Sequence, residues 1–401
     1  MNYKSILRNI LIWPETSVIC SQTLYETLLA IIDIYELTKK AVYLEQIKNV
    51  SSLIVKNQNR DGGFNIGYNF NFGTRLIKNN NNESTAPEML SLYALIRANE
   101  YLKSDKINSA VSYGVHWIEK HSIKISAEKY GIPYAPNTLN DVHIINASSF
   151  CLPALAYYAK NNKKDDRIKL LFNRYINFLY DELETNCFSD GKYWRYFYRG
   201  GKRFENEIQK DKIDNYHLGQ QLKYHCVIQK IIPTNKNLKI IKHLSDYLLS
   251  IRNTHGIYEY CNSHSFKPNN IHIWSFSSAI QGFVDAYSII KDEKLLESAV
   301  TIKKWIIKNS WNGKYFIPVL DLNGNVLDNN YYPRTNAWTI HSMTQYMQYY
   351  GIEEDLLQIV EKVYSDLSNN SFIGKEKHVW TKRLVYATRS YHWLKGKPQI
   401  I

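Results

Sequence analysis

The chain is poor in cysteine and has no long apolar run. Its five cysteines, Cys20, Cys151, Cys187, Cys226 and Cys261, are odd in number and none stands close to another. That spacing argues against a disulfide framework and against a CxxC metal site. Cys151 and Cys226 lie in apolar stretches and read as buried thiols. The N-terminal MNYKSILRNILIWPE is apolar only briefly before Pro14 and Glu15. It reads neither as a signal peptide nor as part of a span of about 18 apolar residues. A soluble protein in a reducing, cytoplasmic setting is the expectation. HExxH is missing, as is any dense His/Cys cluster, so no metal and no cofactor are called for. The formal charge of +13 invites acidic polymers as partners. The lysines are scattered, however, and no basic cluster is dense enough for a nucleic-acid motif.

What the chain does have is a module that recurs six times in its 401 residues, about every 60 residues. Each copy opens with an apolar helix rich in small residues. A charged helix follows, then a short Gly-aromatic strand. The closing strands are DGGFNIGY at Asp61, YGIPYAPN at Tyr130, DGKYWRYFY at Asp190, HGIYEY at His255, NGKYFIPV at Asn312 and a degenerate IGKEKHVW at Ile373. First helices begin near Ser21, Ala86, Ala147, His217, Ser275 and Asn336. A unit of this size cannot bury its apolar face alone, so neighbours must stack. No linker interrupts the series. Gly73 to Asn82 and Arg199 to Asp214 are loops at module junctions. The expected fold is all-α, an (α/α)6 toroid of six helical hairpins with short β-like segments at one end, forming a single domain over residues 1–401.

The two helices of a module differ in a consistent way. First helices such as NASSFCLPALAYYA from Asn146, SFSSAIQGFVDAYSII from Ser275 and TAPEMLSLYALIRA from Thr85 are apolar nearly all round, which marks a buried helix. Second helices, from Asp165, Asp292 and Glu353, place apolar residues at three- and four-residue steps with charge between them. First helices therefore make an inner ring and second helices an outer one.

The segments that head the inner helices carry an excess of polar and aromatic residues. They supply Glu83, then Asp141 and His143, then Asp214, Tyr216 and His217, then His272 and Trp274, then Arg334, Asn336 and Trp338. Clusters spaced around a ring converge on one concavity, the default place for a site. The mixture suits carbohydrate: aromatic faces stack on sugar rings while carboxylates and amides bind hydroxyls. Asp141 and Asp214 occupy equivalent places in modules three and four and form the leading acid–base pair, with helix capping as the alternative for each. His217 and His143 are further acid–base or hydroxyl-binding groups. Trp274 and Trp338 are stacking platforms or buried plugs. Arg334 binds a uronic-acid carboxylate or pairs with Asp328 or Asp321. Glu83, Tyr216, His272 and Asn336 complete the substrate-binding set. NQNRDGGFNIGY is a turn motif, with Gly62 and Gly63 supplying a tight bend; it is not a phosphate loop, since it lacks GxxxxGKS/T.

With six modules over roughly residues 15 to 395, and with NQNRDGGFNIGY, IDNYHLGQQLKYH and HIWSFSSAIQGFVDAYSIIKDEKLLESA as they stand here, the chain resembles the six-hairpin glycosidase-like superfamily. That assembly includes glycoside hydrolases, unsaturated glucuronyl hydrolases, polysaccharide lyases and sugar epimerases. The DNYH segment and its hairpin resemble (α/α)6 proteins of bacterial capsule, exopolysaccharide and O-antigen synthesis. The resemblance implies a carbohydrate site at the inner-helix N-termini and leaves the reaction open. The leading expectation is a glycoside hydrolase using paired carboxylates on an oligosaccharide or polysaccharide, including acidic or lipid-linked ones. A uronic-acid lyase or C5-epimerase is next, with Tyr216 or His217 abstracting the proton and Arg334 neutralising the carboxylate. A non-catalytic glycan-binding scaffold and a terpenoid cyclase or prenyltransferase-like toroid are the remaining readings. The last lacks a DxDD-type motif.

Overall fold

The computed structural model describes residues 19–67, 70–71, 76–77, 83–137, 142–162, 165–185, 191–198, 200, 212–253 and 271–372. Among these residues twelve α-helices form six antiparallel hairpins. The inner helices are α1 (Ser21–Thr38), α3 (Leu90–Leu102), α5 (Ile145–Asn161), α7 (Asn215–Ile231), α9 (Ile273–Ile290) and α11 (Pro333–Tyr350). The outer helices are α2 (Ala41–Lys56), α4 (Asp105–His121), α6 (Asp166–Asp181), α8 (Asn235–Ser250), α10 (Glu293–Ser310) and α12 (Glu354–Asn369). Each inner helix packs on the next, and α11 packs back on α1, so the ring closes. The fold is the all-α (α/α)6 toroid read from the repeat. The helix starts fall within about four residues of those expected.

Burial separates the two rings as the sequence pattern requires. In α9 nearly every residue from Ile273 to Ala286 is buried, because outer helices cover one side and inner neighbours the other. In α12 the buried residues are Leu356, Leu357, Val360, Val363 and Leu367, one face at helical spacing. Losing one such Leu to Ala in a core of this kind costs about 2–5 kcal/mol. Small residues set the approach of the inner helices. A Cβ on Gly282 of α9 would lie 2.5 Å from the Gly219 carbonyl of α7, so only glycine fits there. Three inner helices end on a left-handed lysine, Lys39, Lys103 and Lys291, and the outer helix resumes two residues later. This is the αL stop that makes a tight helical hairpin.

The short strands lie between an outer helix and the following inner one. β1 (Phe70–Asn71) pairs with β2 (Leu76–Ile77), β3 (Ile123–Ser126) with β4 (Lys129–Gly131), and β5 (Glu184–Thr185) with β6 (Lys192–Tyr193). β7 (Ile271–His272), β8 (Val319–Leu320) and β9 (Val326–Asp328) form a three-stranded antiparallel sheet. In it Ile271 opposes Leu320 and His272 opposes Val319. β7 runs straight into α9, with His272 at the N-cap. The closing strands expected at His255 and Ile373 lie outside the described residues, as does Asp141. The DGG turn is structural. Asp61 accepts hydrogen bonds from the Gly63 amide at 3.0 Å, the Ser84 hydroxyl at 2.7 Å and the Trp117 indole at 2.9 Å. Among the described residues no helix is long and apolar enough to cross a membrane.

Candidate functional site

The strands and loops gather at the end of the ring where the inner helices begin. The second residue of five inner helices is Gln22, Asn146, Tyr216, Trp274 or Arg334. The sixth, α3, is preceded by a 3-10 turn, Ala86–Met89, that carries Glu88. Each module therefore places one polar or aromatic residue at the start of its inner helix, at the same end of the ring.

Asp214 is the N-cap of α7, and one of its oxygens accepts the His217 backbone amide at 3.2 Å. The capping role foreseen for it is thus realised. Its other oxygen lies 2.8 Å from His217 Nδ1 and 3.2 Å from Lys212 Nζ. Burial by itself raises a carboxyl. Here the charges of His217 and Lys212 and the bonds from His217 outweigh it and hold Asp214 well below the usual carboxylate range. An acid this strong is a poor proton donor to an ether oxygen. It is a good anchor for an imidazole, because a carboxylate on Nδ1 fixes the ring and leaves Nε2 to act. His217 retains 22% side-chain exposure while Asp214 keeps 1%.

Aromatic rings surround this couple. His217 lies 5.7 Å from Trp274, 5.4 Å from Tyr196 and 6.5 Å from Phe150 between ring centroids. Trp274 leans on Trp338 at 5.2 Å, and Trp338 meets Tyr25 edge-on at 6.3 Å. The Arg334 guanidinium lies 5.0 Å over the Trp274 ring and donates to Gln22 Oε1 at 3.2 Å. Asp321 is instead occupied with Asn323 and Asn325, and Asp328 with Asn330 and Tyr332. Lys212 also sits over Tyr196, 4.2 Å from its centroid.

Glu88 was not singled out in the sequence. It is fully buried and accepts a hydrogen bond from Gln22 Nε2 at 2.9 Å. Its second oxygen has no hydrogen-bond partner among the described residues. Burial pushes its carboxyl up to about 8, against the Gln22 bond and the charge of Arg334. Glu88 is therefore a protonated acid near neutral pH, held two contacts away from Arg334. The one available signal was a lone carboxylate in the apolar run TAPEMLSLY. Lys212 and Gln22 were missed too, since neither stands out among scattered lysines and amides.

The remaining expected residues divide. His272 stays partly exposed and meets Tyr216 at 6.5 Å. His143 stacks on Tyr198 at 6.0 Å and its carbonyl accepts the Tyr198 amide at 3.0 Å. Tyr216 is fully buried against Trp274 and Phe276, so it backs the aromatic wall rather than facing a ligand. Asn336 is also fully buried. It accepts from the Phe316 amide and donates to the Tyr332 carbonyl, both at 2.9 Å, and so clamps the closing strand of module five onto α11. Glu83 accepts the Asn137 amide at 2.6 Å and ties the ends of modules one and two together. Asn336 and Glu83 act as scaffold through these bonds, and Tyr216 through its buried ring.

Comparison with solved structures finds the same fold in proteins that include several sugar-processing enzymes. A sugar epimerase from a ruminal bacterium superposes with a TM-score of 0.63 at 13% identity, over 84% of this chain and 89% of that one. Cellobiose 2-epimerase from Bacillus thermoamylovorans gives 0.61 at 14%, over 82% and 92%. A family 76 α-mannanase from Bacteroides thetaiotaomicron gives 0.60 at 12%, over 86% and 94%. At such identities the likeness is one of fold, and it is the six-hairpin toroid expected from the repeat. No protein-family model matches the chain, and no curated protein matches its sequence.

Proposed function

We propose that the chain is a carbohydrate-active enzyme that works at the N-terminal mouth of its inner ring, with His217 as the acid–base group. The observation that supports this most directly is the Asp214–His217 couple: a buried carboxylate on Nδ1 of a partly exposed imidazole, set beside Trp274 and Tyr196. Trp274 is half-buried beside His217, so the exposed part of its indole can pack against a sugar, and the Arg334 guanidinium over its ring brings a cation close by. This arrangement favours proton transfer at a sugar carbon next to a carbonyl or carboxylate, that is, epimerisation, isomerisation or elimination. His217 Nε2 takes the proton and Arg334 offsets the negative charge that develops on oxygen. The similarly folded sugar epimerases are consistent with this class.

Hydrolysis is the second reading, and Glu88 is what favours it. Glu88, its carboxyl raised to about 8 by burial and one oxygen without a hydrogen-bond partner among the described residues, is the proposed acid of that reading. Asp141 remains the proposed second carboxylate of that reading. Bacterial surface polysaccharide is the proposed substrate pool for either reaction.

One experiment separates the two. Reducing hexoses, neutral disaccharides and uronic-acid oligosaccharides are incubated in deuterium oxide with wild type, His217→Asn and Glu88→Gln. Deuterium appearing at a sugar carbon, or an unsaturated product absorbing in the ultraviolet, with loss in His217→Asn, supports proton transfer. New reducing ends without deuterium, lost in Glu88→Gln, support hydrolysis. Full activity of His217→Asn on every substrate sinks the lead reading.

A further inference from the structure

The opposite face of the ring, where the inner helices end, holds a cavity of about 440 Å³. Its deep wall comes from Asp33 of α1, Lys223 of α7, Asp285 of α9, and His341 and Gln345 of α11. None of these is among the residues of the N-terminal mouth. Two pairs of opposite charge close off the sides: Arg97 meets Glu36 at 2.6 Å, and Lys230 meets Asp285 at 2.7 Å. His341 Nδ1 is hydrogen-bonded to Glu26, and the Thr344 hydroxyl donates to Asp33 at 2.9 Å.

Two buried polar groups on that wall keep hydrogen-bonding capacity that the described residues do not use. Lys223 is 3% exposed, and its ammonium contacts the His341 ring nitrogens at 3.3 and 3.4 Å; among the described residues it makes no salt bridge. Gln345 is 8% exposed and donates to Asp285 at 2.5 Å, but its Oε1 has no hydrogen-bond partner among the described residues. Lys223 has three N–H donors and, among the described residues, hydrogen-bonds only the His341 ring. Buried polar groups are normally satisfied, so its spare donors and the unpartnered Gln345 Oε1 point to a ligand that offers both an acceptor and a donor. The lining carries Arg97, Lys160, Lys223 and Lys230 against Asp33, Glu36, Glu100 and Asp285, so neither sign is in excess. Tyr93, Tyr157 and Tyr349 add aromatic surface.

We infer that this C-terminal mouth is a second binding site, for an uncharged mono- or disaccharide, with Lys223 and Gln345 as its buried hydrogen-bonding pair. Hydroxyl groups both donate and accept, which matches the spare Lys223 donors and the unpartnered Gln345 oxygen. A ligand without charge matches the balanced lining, and the volume falls in the range of small-molecule pockets. Burial also draws the wall towards neutrality, lowering Lys223 and pushing the Asp33 carboxyl up to about 7. The inference stands whether or not His217 is catalytic.

The test starts from Trp274→Ala, which removes the stacking face of the other mouth. Glucose, mannose, cellobiose, glucuronate and inorganic phosphate are titrated by calorimetry and by saturation-transfer NMR. A neutral sugar should still bind. Its Kd should rise about tenfold or more when Asn161→Trp is added, since that exposed residue at the end of α5 lies on the cavity rim. Gln345→Leu should weaken binding similarly, and unchanged unfolding curves for Asn161→Trp confirm an intact fold. Binding abolished by Trp274→Ala, or indifferent to both added changes, overturns the inference. So does binding of glucuronate or phosphate alone, or of none of the sugars. His217→Asn should leave this binding untouched, which separates it from the fate of the catalytic reading.

Discussion

The Asp214 carboxylate meets His217 at two points, accepting its backbone amide at 3.2 Å and lying 2.8 Å from Nδ1 as an ion pair, so the cap of α7 and the position of the imidazole depend on one residue. A residue that caps a helix and anchors an acid–base group couples stability to turnover. The Asp214→Asn variant should lose about 10²- to 10⁴-fold in kcat with a smaller change in KM, and His217→Asn should lose a similar amount. Because the two act as a unit, the double variant should be no slower than His217→Asn alone. A purely structural role for Asp214 would give additive losses and an unmoved pH–rate profile. Both are read from steady-state kinetics on the substrate identified in deuterium oxide.

The same cap predicts a pH limit. The folded-state carboxyl of Asp214 is depressed, so its contribution to stability is present above the unfolded value near 3.8 and is lost as pH falls towards the lower folded value. Wild type should therefore lose stability relative to Asp214→Asn as the solution is acidified below about pH 4. Urea unfolding of both proteins across that range measures it.

Trp274 carries a different kind of prediction. Its ring touches Trp338, the Arg334 guanidinium and His217, but it holds no proton to transfer. Trp274→Ala should raise KM roughly three- to tenfold, the size of one lost aromatic stack, and spare kcat. Trp274→Phe should restore most of the loss. A fall in kcat with KM unchanged would mean that Trp274 positions His217 rather than the sugar.

The ring was legible in the sequence because each module must bury an inner helix on all sides and an outer helix on one, and both patterns are local. Asp214 at a helix start was legible for the same reason. What distance in sequence hid was pairing. Asn336 looked like a ligand-facing amide because its partners, the Phe316 amide and the Tyr332 carbonyl, are set by the closing strand of the preceding module. Glu88 looked like one acid in an apolar helix, and its burial beside Gln22 depends on α1 closing against α3. Asp33, Lys223, Asp285 and His341 each stand in a different inner helix, so their common wall exists only once the toroid is closed.

The turn after α2 gives a test of fold that is independent of any site. Gly62 has φ of +96°, and a Cβ there would lie 2.6 Å from the Tyr113 carbonyl oxygen. Gly62→Ala therefore combines a left-handed backbone with a collision against main chain, which cannot rotate away. It should destabilise by about 2 kcal/mol or more. Asp61→Asn keeps one acceptor for Ser84 and Gly63 and should cost less. Thermal unfolding of the two variants ranks them, and the reverse order would show that the hydrogen bonds to Asp61 matter more than the turn.

Glu88 is expected to set a stability limit on the alkaline side. Its carboxyl ordinarily titrates near 4.5 and is pushed up to about 8 by burial. A raised folded value means that the folded state holds its proton more tightly than the unfolded chain. The resulting contribution is fully present below about pH 4.5 and is lost as pH rises through about 8. Glu88→Gln keeps an acceptor for Gln22 Nε2 and never ionises. The two proteins should unfold alike near pH 4, and at pH 9 the variant should be the more stable by about 1–3 kcal/mol. Denaturant unfolding at several pH values measures the gap. A gap that does not grow between pH 5 and 8 would show that Arg334 compensates the Glu88 charge, and would remove Glu88 as the acid of the hydrolytic reading.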